Sequence, residues 1–285
     1  MTNQEKKANY VGSVEVGFEN AASAKLLAKC VSKKARHWPT DLVLVEANTT
    51  AGNISFVATD EHKLAVISDD KASILAGTQY GDKVFQALFT AADWKSICDY
   101  SKKKKSAVKF DIYGRDDYAY QDTMVAHLGE ESIESVKIGL PYPKWRSVLR
   151  TPDNHFAIIP DDLVDARIFI KGIKKVRKNQ GLRVNVSFYC GSSLGYFDYF
   201  DVDTDVHETA SFRLTEPSRK TIGTCLDVRT LQNVKFTGFD IYHESRPALI
   251  DTEEFDYMIA MPYLDLNEYV FDAEQREMVA EAVNG

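Results

Sequence analysis

The sequence predicts an α+β protein made of two tandem copies of one unit, each with two helices on one face of antiparallel sheets. Three observations carry this. At 285 residues the chain is too long for one typical core and comfortable for two domains of about 140. One order of elements is read twice: strand, basic amphipathic helix, several strands, short helix, several strands. Equivalent helices start at Ala21 and Asp161, and at Ala91 and Asp227, which are 140 and 136 residues apart. A fixed period of this kind is an architectural signal even without sequence identity.

The elements follow from local pattern. Residues 13–18 alternate, with Val14, Val16 and Phe18 on one face, and read as a strand. Asn20 is a candidate N-cap for a helix running to Lys34, which carries an apolar stripe of Leu26, Leu27, Cys30 and Val31. Pro39 closes that segment. Strands are expected at 41–46, 54–59, 64–68 and 83–90, then a short helix over 91–103 with Trp94, Ile97 and Cys98 inward. Residues 107–113, 118–128 and 133–138 complete the first unit. The polar run Arg150-Thr151-Pro152-Asp153-Asn154 is the best domain boundary.

The second unit opens with a strand at 155–159. Pro160-Asp161-Asp162 then starts a helix, with acids at the positive end of its dipole. That helix is expected to reach Asn179 and stop at Gly181, with Gly172 a weak point inside it. Strands at 182–189, 194–203 and 208–214, a short helix at 227–234, and strands at 236–243, 248–250 and 257–264 finish the pattern. The expected division is residues 10–150 and 151–264, followed by an acidic extension over 265–285. The polar Met1–Asn9 reads as a frayed end rather than a signal peptide.

Composition narrows the function. Apolar content of 44% and charged content of 27% are those of an ordinary globular protein, with no run long enough for a membrane helix. Cys30, Cys98, Cys190 and Cys225 form no C-x-x-C pair and read as thiols in a reducing cytoplasm. A net charge of −7 argues against indiscriminate binding of nucleic acid over the whole surface. The distribution says more than the sum. Residues 25–36, 102–105 and 167–178 hold 15 of the 35 Lys and Arg and no Asp or Glu. On the expected helices Lys25, Lys29, Lys33 and Arg36 step along one face, as do Arg167, Lys171, Lys174 and Lys178, with Lys102 and Lys103 ending the short helix. Charge so segregated fits a phosphate backbone. No base-reading motif accompanies it, so the expected binding ignores sequence.

No enzyme signature is found: no P-loop, no G-x-G-x-x-G and no G-x-S-x-G. The acidic run from Asp198 to Asp205 fails a calcium loop, with Val206 and Phe212 where Gly and Glu are needed. The six histidines show no metal-ligand spacing. Neither a catalytic residue, a metal nor a cofactor is expected.

Four stretches in register carry a resemblance. Ala58-Thr59-Asp60-Glu61-His62-Lys63-Leu64-Ala65 resembles the A-T-D-G-H-R-L-A segment of bacterial sliding clamps, the beta subunit of DNA polymerase III. Residues 142–149, Tyr-Pro-Lys-Trp-Arg-Ser-Val-Leu, are similar to the family's F-P-D-Y-R-R-V-L, and 151–155 to the linker after it. Residues 257–264, Tyr-Met-Ile-Ala-Met-Pro-Tyr-Leu, resemble its carboxy-terminal Y-V-V-M-P-x-R-L. The departures are Glu61 for Gly, Lys63 for Arg, Ser147 for Arg, Leu264-Asp265 for the terminal R-L, and the residues that follow.

The resemblance covers the second and third of the family's three domains. It implies two tandem DNA-clamp domains assembling into a ring, helices lining the hole and facing double-stranded DNA. Six domains at two per chain imply a homotrimer. A shortened chain points to a phage or mobile element, acting in bacterial or infected cytoplasm. The implied function is a processivity factor that tethers a replicative DNA polymerase and is opened by a clamp loader. The implied partner-peptide pocket is Leu42, Thr59, His62, Lys63, Leu64, Pro143, Val148, Ile259, Met261, Pro262 and Tyr263. The rival readings are a clamp-fold protein that binds such peptides without encircling DNA, a transcription coactivator clamp, and a DNA-modifying enzyme.

Overall fold

The computed structural model describes residues 10–262, except 18, 20, 22–23, 35–37, 49, 71–72, 77–83, 115–119, 150–153, 174–182, 202–205 and 244–245. The first unit contains β1 (Tyr10–Val16), a 3-10 segment (Ala24–Lys29), β2 (Leu42–Asn48), β3 (Asn53–Thr59), β4 (Lys63–Asp69), β5 (Ser73–Ala76) and β6 (Val84–Thr90). It continues with helix α1 (Ala91–Lys104), β7 (Val108–Tyr113), β8 (Thr123–Leu128) and β9 (Glu131–Glu134). A linker with a 3-10 turn (Trp145–Val148) leads to the second unit. There β10 (His155–Ala157) precedes α2 (Pro160–Gly172), β11 (Arg183–Phe188), β12 (Leu194–Asp201), β13 (Val206–Arg213) and β14 (Ile222–Asp227). Helix α3 (Val228–Gln232), β15 (Phe236–Asp240), β16 (Ala248–Thr252) and β17 (Tyr257–Ala260) follow.

Strand order exposes the repeat. In the first unit one sheet runs β1-β7-β8-β9, with β5 added beyond β1, and the other runs β6-β2-β3-β4. The second unit has β10-β15-β16-β17 and β14-β11-β12-β13 in the equivalent places. The units are fused because β17 pairs antiparallel with β4, giving one continuous 8-stranded sheet.

Both ends of α1 are specified locally. Thr90 is its N-cap, accepting from the Asp93 N–H at 3.1 Å. Lys105 closes it in the left-handed region at φ 50°. Trp94 on the inner face is 1% exposed and donates its indole N–H to the Ala24 carbonyl at 2.9 Å, tying α1 to the 3-10 segment. In the second unit Phe156, Phe188, Phe197, Phe212, Phe236 and Phe239 form the core. Gly195 is required there, since a Cβ would lie 2.4 Å from the Phe212 ring.

Two helices are shorter than the sequence suggests. The expected helix to Lys34 ends at Lys29, because the Ser32 N–H turns aside to bond Thr40 O at 2.8 Å. The expected helix to Asn179 ends at Gly172, where Ile173 takes an extended ψ of 112° and is buried. Gly172, read as a weak point, is the stop. The expectations for residues 1–9 and 265–285 lie outside the described residues.

Candidate functional site

The central sheet is buried on both faces. On β2, Val43, Val45 and Ala47 point into the main core, while Leu42, Leu44 and Glu46 share the opposite face. Over that second face lies a small apolar cluster: Leu42, Leu44, Val57, Leu64, Val66, Leu88, Tyr142, Trp145, Leu249 and Ile259. Residues from both units and from the linker meet in it.

The structure brings the separated motifs together at the joint between units. Leu64 on β4 and Ile259 on β17 are direct cross-strand partners. One pair further, Lys63 lies opposite Ala260, and the Met261 N–H bonds His62 O at 2.7 Å. Leu42 and Thr59 are buried beside them. Val148 and Met261 are 44% and 43% exposed, Pro143 is partly buried and Pro262 is buried. Tyr263 lies outside the described residues. Apolar walls with a polar border, open to solvent on two large side chains, are what a short hydrophobic peptide requires.

The hairpin tip between β3 and β4 forms the polar border. Asp60 Oδ1 accepts from the N–H groups of His62 and Lys63 at 3.1 and 2.9 Å. Its other oxygen pairs with Lys63 Nζ at 2.8 Å. Thr59 Oγ1 donates to Lys63 O at 2.7 Å and accepts from the Glu61 N–H at 3.2 Å. Glu61 itself sits at φ 74°, a left-handed conformation that a residue with a Cβ adopts at a cost. Thr40 Oγ1 donates to the Glu61 carboxylate at 3.4 Å.

Sequence reading missed the floor of this site. Tyr142 and Trp145 fill it from the linker, 7% and 6% exposed. The Tyr142 hydroxyl donates to Val57 O at 3.4 Å, and burial pushes its pKa well up. Glu46 is also here, only 1% exposed, with its carboxylate held by the Arg146 guanidinium and by Gln86 Nε2. The one available signal was the period of two that puts Glu46 on the face of Leu42 and Leu44.

A second surface gathers positive charge. The 3-10 segment packs against α1, so Lys25 and Lys29 lie on the same side as that helix. Lys29, Lys33, Lys102 and Lys103 are exposed, and Lys25 pairs with Asp99 at 2.5 Å. In the second unit Lys171 is exposed. Arg167 departs from the expected stripe: it turns inward, donating to Phe236 O at 2.8 Å and pairing with Glu253 at 2.8 Å, and is 17% exposed. Those two acceptors explain the difference, since helical spacing alone does not show which carbonyls need a donor. Arg36, Lys174 and Lys178 lie outside the described residues.

No group of three or more His, Cys, Asp or Glu suited to a metal occurs among the described residues. No described helix is long and apolar enough to cross a membrane.

No protein-family model matches the chain, and neither does any curated protein sequence. Solved structures do. A DNA polymerase sliding clamp from Pseudomonas aeruginosa with a ligand is similar at TM-score 0.70 and 14% identity, over 88% of this chain and 66% of that one. The Helicobacter pylori beta clamp bound to a DNA ligase peptide gives TM-score 0.67 and 14% identity, over 90% and 66%. A putative DNA polymerase III beta subunit from Eubacterium rectale gives 0.65 and 11%, over 88% and 65%. The chain therefore spans just under two thirds of the length of the clamps it matches. Across that span this protein has the fold of the bacterial DNA polymerase III beta sliding clamp.

Proposed function

We propose that this protein is a DNA sliding clamp. It would be a non-enzymatic ring that encircles duplex DNA regardless of sequence and tethers a replicative polymerase. Partners, including the polymerase and a clamp loader, would dock short hydrophobic peptides in the pocket of Leu42, Thr59, His62, Lys63, Leu64, Pro143, Val148, Ile259, Met261, Pro262 and Tyr263. The DNA ligase peptide on the Helicobacter pylori clamp supports that docking mode. Residues 10–150 and 151–264 would be the two clamp domains, and 265–285 an extension. Action would be topological, in the cytoplasm, without cofactor or metal.

The observation that carries this reading is a pair of equivalent strands. β4 and β17 join the units within the chain, whereas their counterparts β13 and β9 each end a sheet. A second copy offering β9 to β13 would repeat the internal joint between chains, head to tail. Six units then close with three copies. Lys25, Lys29, Lys33, Lys102, Lys103 and Lys171, with Arg36, Lys174 and Lys178, would face the phosphates. Weak, diffuse contacts suffice when a closed ring prevents escape.

One observation favours the rival without a DNA-filled ring. On α2, Asp161, Val164, Asp165 and Ile168 are exposed, with Val164 and Ile168 at 61% and 62%. Acids and aliphatics there suit protein contact better than phosphate. Native mass spectrometry separates the readings. A complex of three times 32.1 kDa supports the ring, and a stable monomer at micromolar concentration supports the rival.

A further inference from the structure

Leu42, Thr59, Lys63, Leu64 and Ile259 stand on strands, where ladder hydrogen bonds fix them, and His62 and Met261 are tied together across the joint. Val148 has no such ladder: it ends a four-residue 3-10 turn on the linker, Trp145–Val148. So short a 3-10 turn has little stability of its own. Its Lys144 N-cap makes no side-chain capping bond. Something else must hold the turn, and with it Val148, in place.

Two side chains of the turn reach the sheet. Trp145 enters the apolar floor, and Arg146 crosses its ring at 4.1 Å to pair with Glu46. Glu46 is not a chance partner. It lies opposite Gln86 on one side and Ser55 on the other, and Ser55 lies opposite Ser68. This makes a polar row across an otherwise apolar face. Gln86 Nε2 donates to Glu46 Oε2 at 2.6 Å, and the Ser55 and Ser68 hydroxyls are 3.3 Å apart. Gln86 is itself pinned, its N–H bonding the Asp122 carboxylate and its carbonyl accepting from the Asp122 N–H, both at 2.7 Å. A carboxylate buried to this degree demands its cation, because removing one partner of a buried pair leaves a charge without compensation. The demand runs one way. Arg146 is 48% exposed and solvated without Glu46, but Glu46 needs Arg146.

We propose that Glu46 is a positioning residue for peptide recognition: by holding Arg146 it clamps the linker turn and preforms the pocket wall at Val148. This rests on the reading of the site as a peptide pocket. Glu46 lies beneath Arg146 and touches no peptide itself. A turn freed from it samples other positions, so only a fraction of molecules presents the wall, and apparent affinity falls by that fraction.

The test uses the full chain and a fluorescent decapeptide rich in leucine and phenylalanine. Peptide dissociation constants are measured for the parent, E46Q, R146M and the double variant, with amide hydrogen exchange over residues 145–149. The expected result is faster exchange in the turn and affinity weakened about fivefold to tenfold in each single variant. The double variant should lose no more than either single one, since both remove the same clamp. Affinity within twofold of the parent, despite faster exchange, overturns the proposal, and so do additive losses in the double variant. If E46Q does not fold, the half-exposed Arg146 lets R146M carry the test. A parent that binds no peptide at about 1 mM refutes the pocket itself, which is a different failure from a parent that binds and variants that match it.

Discussion

Placing a charge on the pocket rim should abolish peptide binding without touching the fold, and Val148→Asp is the position of choice. Leu64→Asp would be ambiguous, because Leu64 is 6% exposed and pairs with Ile259 across the joint between units. Val148 is 44% exposed and lies outside that ladder, so its substitution should change stability by no more than about 0.5 kcal/mol. Full burial of a valine is worth about 1.5 kcal/mol, so covering the exposed part with a peptide contributes somewhat under 1 kcal/mol. Desolvating the new carboxylate against an apolar ligand costs about 1–3 kcal/mol more. The sum, about 2–4 kcal/mol, weakens binding roughly 30-fold to 1,000-fold. Fluorescence anisotropy measures the affinity and thermal unfolding the stability. Binding within threefold of the parent would refute the placement of the pocket.

Other perturbations test the scaffold. Gly195→Ala should lower stability by about 1–3 kcal/mol, because the new methyl meets the Phe212 and Phe188 rings at 2.4 and 2.8 Å; urea unfolding reads this, and an unchanged midpoint would contradict the packing. Burial pushes the thiols of Cys30 and Cys225 up to about 11 and of Cys98 up to about 12. With Cys190 the exposed one, mass spectrometry after brief native alkylation at pH 8 should find label on Cys190 and not on the other three. The Asp162 carboxyl is held below its usual range by hydrogen bonds from Arg213. A depressed folded pKa gives stability that is present at neutral pH and lost as pH falls through it. Arg213→Gln should therefore be less stable at pH 7 and closer to the parent near pH 3; a deficit independent of pH would contradict the pairing.

Much of the fold is legible in the sequence because alternation and helical stripes are local. Most strands of both units, and the repeat itself, follow from the period-two runs and the matching helix offsets, whereas β5 and β14 fall where no strand is expected. The termini of two helices are not legible, since helical periodicity shows neither the turn of the Ser32 N–H to Thr40 O nor which residue after Gly172 goes extended. The pocket walls are reached through motif resemblance, and the pairing of Leu64 with Ile259 shows why motifs so distant in sequence belong together. Its floor is not reached. Trp145 and Tyr142 read as linker aromatics until the sheet beneath them is known. The period of two places Glu46 on the face of Leu42 and Leu44, but it cannot reveal that the linker covers that face. Arg167 shows the same limit on a helix, its guanidinium taken by Phe236 O and Glu253 rather than left on the stripe.

The central claim is that copies of this chain close around DNA, and retention on circular DNA without free ends tests it most directly. The protein is assembled on a nicked plasmid with a clamp loader, separated by gel filtration, and half the sample is linearised by one restriction cut. The ring predicts co-elution with the circle and release from the cut DNA with free ends, at a salt concentration that strips phosphate contacts. Equal loss from both forms, or equal retention on both, would contradict it.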